Sequence, residues 1–173
     1  AQEKARIFAH PRTKFAIVNR DIEPFALIQK SASTNFIGYS IHNNPQCDVS
    51  LTITPQGATV VEKGVSHQLS FAPLPTAHFY ANALAASLAC RHAGMEWEEI
   101  APLWSQLKPF PGRLSTAHRG DIKFIDDTYN ASELSSRMAL DYLHGLREGR
   151  RHVVVFGQMA ELGPFAESCH EAV

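Results

Sequence analysis

Two apolar runs near the start of the chain, separated by a helix-compatible stretch, predict a parallel βαβ unit. The run KFAIVNRD, residues 14–21, is typical of a buried strand followed by a polar turn. NFIGYSI, residues 35–41, is a second strand candidate, and EPFALIQKS lies between the two. A strand, a helix and a strand at this spacing usually place the two strands side by side in parallel.

The pattern then changes to alternation of apolar and polar residues. CDVSLTITPQGATVVEKGVSHQLSF, residues 47–71, is interrupted by Pro55-Gln56-Gly57 and by Lys63-Gly64. Alternation broken by short Pro- and Gly-containing turns predicts antiparallel strands joined as hairpins.

Beyond Pro75 the apolar period becomes helical. Residues 76–94 predict one helix, with Thr76 as its N-cap and Gly94 as its stop. Residues 96–108 predict a second helix, and the Pro-rich segment KPFPGRL that follows is the best domain boundary in the chain. We therefore expect two domains, residues 1–111 and 112–173.

The last third of the chain predicts an α/β layout with a parallel sheet. We expect a strand over Ile122 to Asp126, a helix over Glu133 to Leu146 capped by Ser132, and a second strand in HVVVFG, residues 152–157. Another helix begins after Gly163. Alternating strands and helices are the signature of the α/β class, which is the fold class we predict for the chain.

Composition and charge narrow the functional classes. The 173 residues carry a formal net charge of −1, which argues against nucleic acid or an anionic membrane as the main partner. Three scattered cysteines are typical of reduced intracellular thiols, and no apolar run reaches the roughly 18 residues of a membrane span. We expect a cytoplasmic monomer.

The start without Met and the helical pattern at both ends indicate a piece of a longer protein.

The most suggestive polar cluster is DDTYN, from Asp126 to Asn130, at the end of a predicted strand. Ligands of open parallel sheets bind beyond the carboxyl ends of the strands. There one carboxylate could accept both ribose hydroxyl hydrogens, and Tyr129 could lie against a base. An Asx-type turn before the following helix explains the same residues equally well, so both interpretations stay open.

Other candidates have ordinary explanations of similar weight. His78 and Asn82 share one helix face, where the Asn amide could match the edge of adenine, although bonding to neighbouring backbone is the simpler interpretation. Arg113 at the junction could clamp a phosphate or be a surface charge. Lys4 has the pattern of a solvated helix residue.

Several common catalytic motifs are missing from the sequence. It contains no G-x-x-x-x-G-K-[ST] phosphate loop, no G-x-G-x-x-G fingerprint and no G-x-S-x-G elbow. The nine histidines form no zinc-type spacing. By its own residues, the chain has no cradle for nucleotide phosphates.

Five motifs, in order, give the chain a family resemblance. FIDDTYNAS is similar to a D-D-[ST]-Y-N-A-N signature, GQMAELG to G-D-M-x-E-L-G, and PFPGRL to P-x-P-G-R-[LM]. AHFYANALAA is similar to H-N-x-x-N-A-L-A-A, and EKARIF to a segment that holds a carbamylated lysine. Together they resemble the Mur ligase family, and the first two resemble its branch that adds D-alanyl-D-alanine.

The resemblance implies a fold and an activity. Residues 1–111 would be the second half of a central ATP-binding domain, with a parallel sheet plus a small antiparallel sheet. Residues 112–173 would begin a Rossmann-like C-terminal domain. The resemblance to this branch implies an enzyme that uses ATP and Mg²⁺ to join D-Ala-D-Ala to UDP-N-acetylmuramoyl-tripeptide through an acyl phosphate, in peptidoglycan precursor synthesis. The phosphate loop would lie upstream, so we expect this chain alone to be inactive.

The resemblance also assigns roles to the candidates. It makes Lys4 the carbamylated Mg²⁺ ligand and a catalytic residue, and it turns Asn82, with His78 nearby, towards adenine. In the second half of the chain it makes Arg113 a catalytic residue that contacts the terminal phosphate. It places Asp127 on the ribose and Tyr129 beside the nucleotide, and it implies, less directly, that Asn130 lies towards the dipeptide.

Three positions depart from the family pattern. Phe79 replaces an Asn of the helix motif, Gln158 replaces the Asp of G-D-M-x-E-L-G, and Ser132 replaces the last Asn of the Y-N-A-N run. Phe79 and Gln158 leave open a non-catalytic α/β binding module. A sister ligase, such as the one that adds the third peptide residue or a folylpolyglutamate synthase, is the other alternative, which DDTYNA and MAELG disfavour.

Overall fold

The structure is a computed structural model that describes residues 5–22, 25–31, 35–44, 46–70, 73–146, 149 and 151–173. The chain divides into two compact units, residues 1–107 and 108–173, which are treated one at a time. In the described ranges, no helix has both the length and the apolar character needed to cross a lipid bilayer.

The first unit is built on one five-stranded sheet whose strand order follows the chain. Neighbours pair in parallel from β1 to β3 and antiparallel from β3 to β5. The predicted βαβ unit and hairpins are therefore confirmed, but they share one mixed sheet. The strands and the connecting helix α1 are Phe15–Asn19 (β1), Phe25–Ser31 (α1), Asn35–Ser40 (β2), Val49–Thr54 (β3), Gly57–Glu62 (β4) and Val65–Leu69 (β5).

The alternation seen in the sequence places one face of this sheet in the core. On β3, Val49 and Leu51 are buried, and on the paired strand β4 so are Ala58 and Val60. Successive side chains of a strand point to opposite faces, so these four lie on one side. They pack in one cluster with Leu84 and other helical side chains, which gives the unit its hydrophobic core.

Helices cover that face. Helix α2 spans Ala77–His92 and helix α3 spans Trp97–Ile100, followed by a 3-10 helix over Ala101–Gln106. The second predicted helix is thus α-helical only in its first turn. Pro102 lies at the start of the 3-10 segment, and because proline has no N–H it cannot continue the i to i−4 ladder. An additional 3-10 helix spans Arg6–Ala9.

The second unit consists of a hairpin and two helices. Strands β6 (Ser115–Arg119) and β7 (Ile122–Asp126) pair antiparallel, and helices α4 (Glu133–Gly145) and α5 (Ala166–Glu171) follow. A short 3-10 helix, Gly163–Phe165, leads into α5. The predicted strand β7, the helix capped by Ser132 and the last helix are confirmed; β6 was not predicted, because STAHR has no apolar alternation.

The parallel sheet predicted for this unit is wrong for the residues that the structure describes. Residues 151–160 have no regular secondary structure, so the expected strand in HVVVFG is not formed. A strand needs a ladder partner, and this run pairs with no described strand. Instead Val153 to Phe156 line a cavity of about 270 Å³ together with residues of β7 and α4, and Val155 stays 96% exposed.

Leu84→Ala tests the core of the first unit. The side chain is 0% exposed in the main cluster, so the substitution should lower the free energy of unfolding by about 2 to 5 kcal/mol. Leu103→Ala is the matched control, because that leucine is 47% exposed and should change the free energy by less than about 0.5 kcal/mol. Urea unfolding followed by circular dichroism measures both. Equal losses in the two variants would contradict the proposed core.

Candidate functional site

The Pro-rich junction docks onto the end of strand β7. The backbone N–H of Tyr129 donates to the carbonyl oxygen of Gly112 at 3.0 Å. The Gly112 N–H donates to Ser115 Oγ at 3.2 Å, and the Arg113 N–H donates to the Phe110 carbonyl at 2.9 Å. Two motifs that are separate in the sequence, PFPGRL and DDTYN, therefore form one compact structure.

Gly112 makes this close approach feasible. Its φ is +76°, a left-handed conformation that glycine adopts without steric cost. A Cβ added there would lie 3.3 Å from Tyr129 N and 3.4 Å from Tyr129 Cβ. Both the backbone conformation and the available space therefore favour glycine at this position.

The docking places the Arg113 guanidinium over an aromatic ring. Its central carbon lies 4.3 Å from the centroid of the Tyr129 ring, within the range of a cation–π interaction. Tyr129 is 66% exposed, and Arg113 is partly exposed. The stack holds a cation at the surface, where its N–H groups can bind an anion.

Asp127 fastens the other side of the junction. Its Oδ1 accepts the Leu114 N–H at 3.1 Å, which helps to hold Leu114 at a φ of +48° with its side chain buried. Oδ2 has no hydrogen-bond partner among the described residues. One carboxylate thus shapes the site through Oδ1 and offers an unused acceptor through Oδ2.

The Asx-type turn considered from the sequence belongs to Asp126. Its Oδ1 accepts both the backbone N–H of Thr128 at 3.1 Å and the Thr128 hydroxyl at 2.7 Å. The two adjacent aspartates therefore do different work: Asp126 forms the turn, whereas Asp127 braces the junction. Sequence spacing alone could not separate these two roles.

Asn130 lies at the start of the segment that leads into α4. Its Oδ1 accepts the neighbouring Ala131 N–H at 2.9 Å, and the residue is exposed. It lines the 270 Å³ cavity together with Asp127 and Thr128, and most of the other lining residues are apolar. A largely apolar cavity with a few polar groups is typical of a ligand site.

His78 and Asn82 lie in the first unit, one turn apart on α2. His78 Nδ1 is 2.7 Å from the Thr76 hydroxyl oxygen, so Thr76 occupies the N-cap position without capping the helix through its side chain. The His78 ring lies beside the Phe79 ring, with 4.6 Å between centroids. Asn82 is exposed, which leaves its amide accessible to a ligand.

The carboxyl ends of β1 and β2 are a less suitable ligand site. Asp21 follows β1 and accepts the Ser40 hydroxyl at 2.6 Å through Oδ1 and the Ile41 N–H at 2.9 Å through Oδ2. Both oxygens are used to tie the two strand ends together. This carboxylate is therefore a structural clamp.

Two of the three thiols, those of Cys47 and Cys169, have raised pKa values. Burial raises the pKa of the Cys47 thiol, outweighing the opposite effect of Arg20. Burial, and then a hydrogen bond with Glu133, raises the pKa of the Cys169 thiol. Because the thiolate is the reactive form, a raised pKa makes a cysteine less nucleophilic at neutral pH.

Two further candidates concern the metal and the departures from the family pattern. Lys4 lies outside the described residues. Among the residues that are described, no three His, Cys, Asp or Glu side chains cluster closely enough to hold a metal ion.

Ser132 replaces the last Asn of the Y-N-A-N motif and caps α4 by accepting the Ser135 N–H at 3.2 Å.

Comparison with known proteins connects this geometry to a family. Residues 112–173, which include the junction from Gly112 onward, match the family described as Mur ligase, glutamate ligase domain. All of this chain aligns, at 30% identity over 188 residues, with 39% of the UDP-N-acetylmuramoyl-tripeptide–D-alanyl-D-alanine ligase of Escherichia coli K12. The chain belongs to the Mur ligase family.

Solved structures show the same relationship for the Mur ligase fold. MurF from Acinetobacter baumannii superposes with a TM-score of 0.76 at 28% identity, covering 98% of this chain and 37% of that one. MurF from Thermotoga maritima, solved in complex with ADP, shares the fold at 20% identity with a TM-score of 0.67, covering 98% of this chain and 39% of that one. This Mur ligase chain spans less than two fifths of these relatives.

Gly112→Ala tests the docking of the junction. The added Cβ forces a left-handed alanine against Tyr129, so amide exchange in β6 and β7 should accelerate about 10-fold or more. Gly120→Ala is the control, because Gly120 also has a positive φ, +55°, but nothing lies within 4 Å of its added Cβ. A Gly112→Ala effect no larger than that of Gly120→Ala would show that contact with Tyr129 is unimportant.

Proposed function

We propose that the full-length protein containing this chain is a cytoplasmic, ATP-dependent amide ligase. It joins D-alanyl-D-alanine to UDP-N-acetylmuramoyl-tripeptide in peptidoglycan precursor synthesis. The main observation in support is the docked junction, in which Arg113 stacks on Tyr129 and Asp127 holds Leu114 through Oδ1, while Oδ2 of Asp127 has no partner among the described residues. The Arg113 cation suits a phosphate, and the exposed face of Tyr129 suits a base. The Asp127 carboxylate suits the hydroxyls of a ribose.

The comparisons support the choice of this branch. The Escherichia coli relative that carries this substrate pair in its name matches the whole chain. The sequence also contains DDTYNA, which resembles the signature of this branch. We propose that residues 1–111 belong to the central ATP-binding domain and residues 112–173 to the C-terminal domain. A sister ligase is the less favoured reading, because DDTYNA and MAELG differ from the motifs of those enzymes.

We assign nucleotide contacts to both units on the basis of side-chain chemistry. Arg113 offers a planar fork of donors to a terminal phosphate. Asp127 Oδ2 accepts ribose hydroxyls, and Tyr129 flanks the nucleotide. In the first unit, His78 and Asn82 face the adenine, whose edge an amide can both donate to and accept from.

The proposed reaction has two steps. The tripeptide carboxylate attacks the terminal phosphorus of ATP, forming an acyl phosphate and releasing ADP. The amine of D-Ala-D-Ala then attacks the acyl carbon, the C–O bond to phosphate breaks, and inorganic phosphate leaves with one former carboxylate oxygen. The amine gives up a proton as the amide forms. Protein groups contribute mainly by orienting the substrates and compensating negative charge, which is the role we give to Arg113.

Mg²⁺ is the proposed metal, with carbamylated Lys4 as a ligand. A carbamate converts a cationic amine into an oxygen ligand, which a hard ion such as Mg²⁺ prefers. The described residues contain no cluster of three or more His, Cys, Asp or Glu side chains that could hold the ion. When bound, the ion supplies neutralisation of phosphate charge.

For binding of the D-Ala-D-Ala dipeptide we propose Asn130, which lines the 270 Å³ cavity. Its side-chain NH₂ is a donor suited to a peptide carbonyl or carboxylate. Gln158 stands where the family motif G-D-M-x-E-L-G has an Asp, so this position carries no negative charge. The present chain contains no phosphate loop, and we propose that it does not turn over ATP by itself.

One observation favours a second candidate function. Phe79, which departs from the family pattern, packs its ring beside His78, a residue proposed for adenine recognition. A protein that kept the fold but lost an adenine contact could be a non-catalytic α/β binding module. Catalysis by the full-length protein distinguishes the two functions.

Phosphate release by the full-length protein tests the proposal. It should require ATP, Mg²⁺, UDP-N-acetylmuramoyl-tripeptide and D-Ala-D-Ala together. Arg113→Ala should lower kcat about 100-fold or more, because a charge-compensating donor is lost. Asp127→Asn keeps an acceptor for Leu114 N–H but loses the charge, and should raise the KM for ATP about 10-fold or more.

Arg119→Ala is the matched control, since this arginine is exposed on β6 away from the junction contacts. It should leave the rate unchanged. If a folded, ATP-binding full-length protein releases no phosphate, the ligase is rejected in favour of the binding module. Equal losses in Arg113→Ala and Arg119→Ala would remove the role given to Arg113.

A further inference from the structure

A buried methionine interrupts an exposed loop in the second unit. Met159 is 1% exposed, whereas its neighbours Gln158 and Ala160 are both exposed. Its side chain lies against the first turns of helix α4, where the Ser136 hydroxyl is 3.8 Å from Met159 Sδ. Met159 therefore anchors the segment from Gln158 to Gly163, here called the 158–163 loop.

The backbone of this anchor is held by a histidine. The Met159 N–H donates to His170 Nε2 on helix α5 at 3.0 Å. A backbone N–H that is buried with its residue and left unpaired would cost roughly 1 to 3 kcal/mol. His170 is the acceptor that removes this cost, and no other acceptor for this N–H occurs among the described residues.

The other ring nitrogen fixes the protonation state. His170 Nδ1 lies 2.6 Å from the Ala166 carbonyl oxygen, which can only accept a hydrogen bond. Nδ1 must therefore carry the hydrogen, while Nε2 must be bare to accept the Met159 N–H. Both contacts are satisfied only by the neutral tautomer with hydrogen on Nδ1. The Phe156 ring meets His170 edge-on, with 6.5 Å between ring centroids.

The loop beyond the anchor has an unusual backbone. Glu161 has a φ of +62° and Gly163 a φ of +55°. A left-handed residue other than glycine costs about 1 kcal/mol or more and persists only where surrounding contacts enforce it. In this loop the Met159 anchor precedes Glu161, and helix α5 begins three residues after Gly163.

The anchor also reaches the candidate site. Ser136, which contacts Met159, lies in the first turn of α4, and that helix is capped by Ser132 directly after the segment that contains Asn130. His170, Met159 and Ser136 thus form a continuous chain of contacts from α5 to the beginning of α4. The loop carrying Gln158 is held in place along this chain.

We propose that His170 is a positioning residue that fixes the 158–163 loop against helix α4 through the Met159 N–H. The structural part of this inference is independent of catalysis. Its catalytic part rests on the proposed function: with Asn130 assigned to the acceptor, the loop sets the acceptor side of the site. Loss of His170 then weakens D-Ala-D-Ala binding while leaving ATP binding unchanged.

The structural part is tested in this chain by NMR. The ¹⁵N shifts of the His170 ring should show a protonated Nδ1 and an unprotonated Nε2. Removing the acceptor with His170→Ala should speed exchange of the Met159 amide about 10-fold, the equivalent of one lost hydrogen bond. His170→Gln places an oxygen near the position of Nε2 and should keep most of the protection, and His118→Gln, at an exposed histidine on β6, should change nothing.

Several outcomes would overturn the structural part. A hydrogen on Nε2 of the wild-type ring rules out the contact, and so does equal Met159 exchange in the alanine and glutamine variants. If His170→Ala fails to fold, the wild-type ring shifts and the glutamine variant still decide the question.

The catalytic part is tested by steady-state kinetics of the full-length protein. His170→Ala should raise the KM for D-Ala-D-Ala about 10-fold with an unchanged KM for ATP, and His170→Gln should restore it. An active enzyme whose dipeptide KM is insensitive to both variants contradicts the positioning role. An inactive wild-type protein refutes the proposed function instead. The NMR experiment then still tests the hydrogen bond from the Met159 N–H to His170.

Discussion

The second unit depends on the docking of the Pro-rich junction onto the end of strand β7. The antiparallel pairing of β6 with β7 places the two segments side by side, and the backbone hydrogen bond from Tyr129 N–H to the Gly112 carbonyl, at 3.0 Å, joins them. Glycine is favoured there because φ is +76° and an added Cβ would lie only 3.3 Å from Tyr129 N. Once the segments are joined, Arg113 stacks on Tyr129, and Asp127 can brace Leu114 while keeping one oxygen free. The stacking of the cation on the ring and the contact of the carboxylate with Leu114 thus both depend on backbone geometry.

The two units are stabilised in different ways. The first has a continuous hydrophobic core between its mixed sheet and helix α2, with Leu51, Leu84 and Leu88 fully buried. The second has few buried apolar side chains, notably Leu114 and Met159, and relies on directional polar contacts around them. Such contacts specify conformation more than they add stability, because each hydrogen bond contributes only about 1 kcal/mol net. A unit built this way is suited to holding functional side chains in one arrangement.

The sequence predicted most of the first unit correctly, since β1, β2 and α2 have periodicities that their burial requires. It also marked Arg113, Asp127 and Tyr129, but not their mutual contacts, which arise from the left-handed backbone at Gly112 and Leu114. The apolar character of HVVVFG is typical of a strand. A strand also needs a neighbouring strand to pair with, and the sequence of the segment itself does not reveal whether one is present. The contact of His170 with Met159 was missed for a similar reason. A histidine acting as acceptor for a backbone N–H leaves no periodic signal, and its tautomer is set by a carbonyl four residues earlier.

We propose that the full-length protein activates a carboxylate by transferring phosphate to it. The most direct measurement uses UDP-N-acetylmuramoyl-tripeptide labelled with ¹⁸O in its terminal carboxylate, incubated with ATP, Mg²⁺ and D-Ala-D-Ala. Mass spectrometry then reads the isotopic composition of the released phosphate. An acyl phosphate cleaved by the amine predicts one ¹⁸O atom in each phosphate released. Phosphate that carries no label would show that its new oxygen came from water, and would contradict the account.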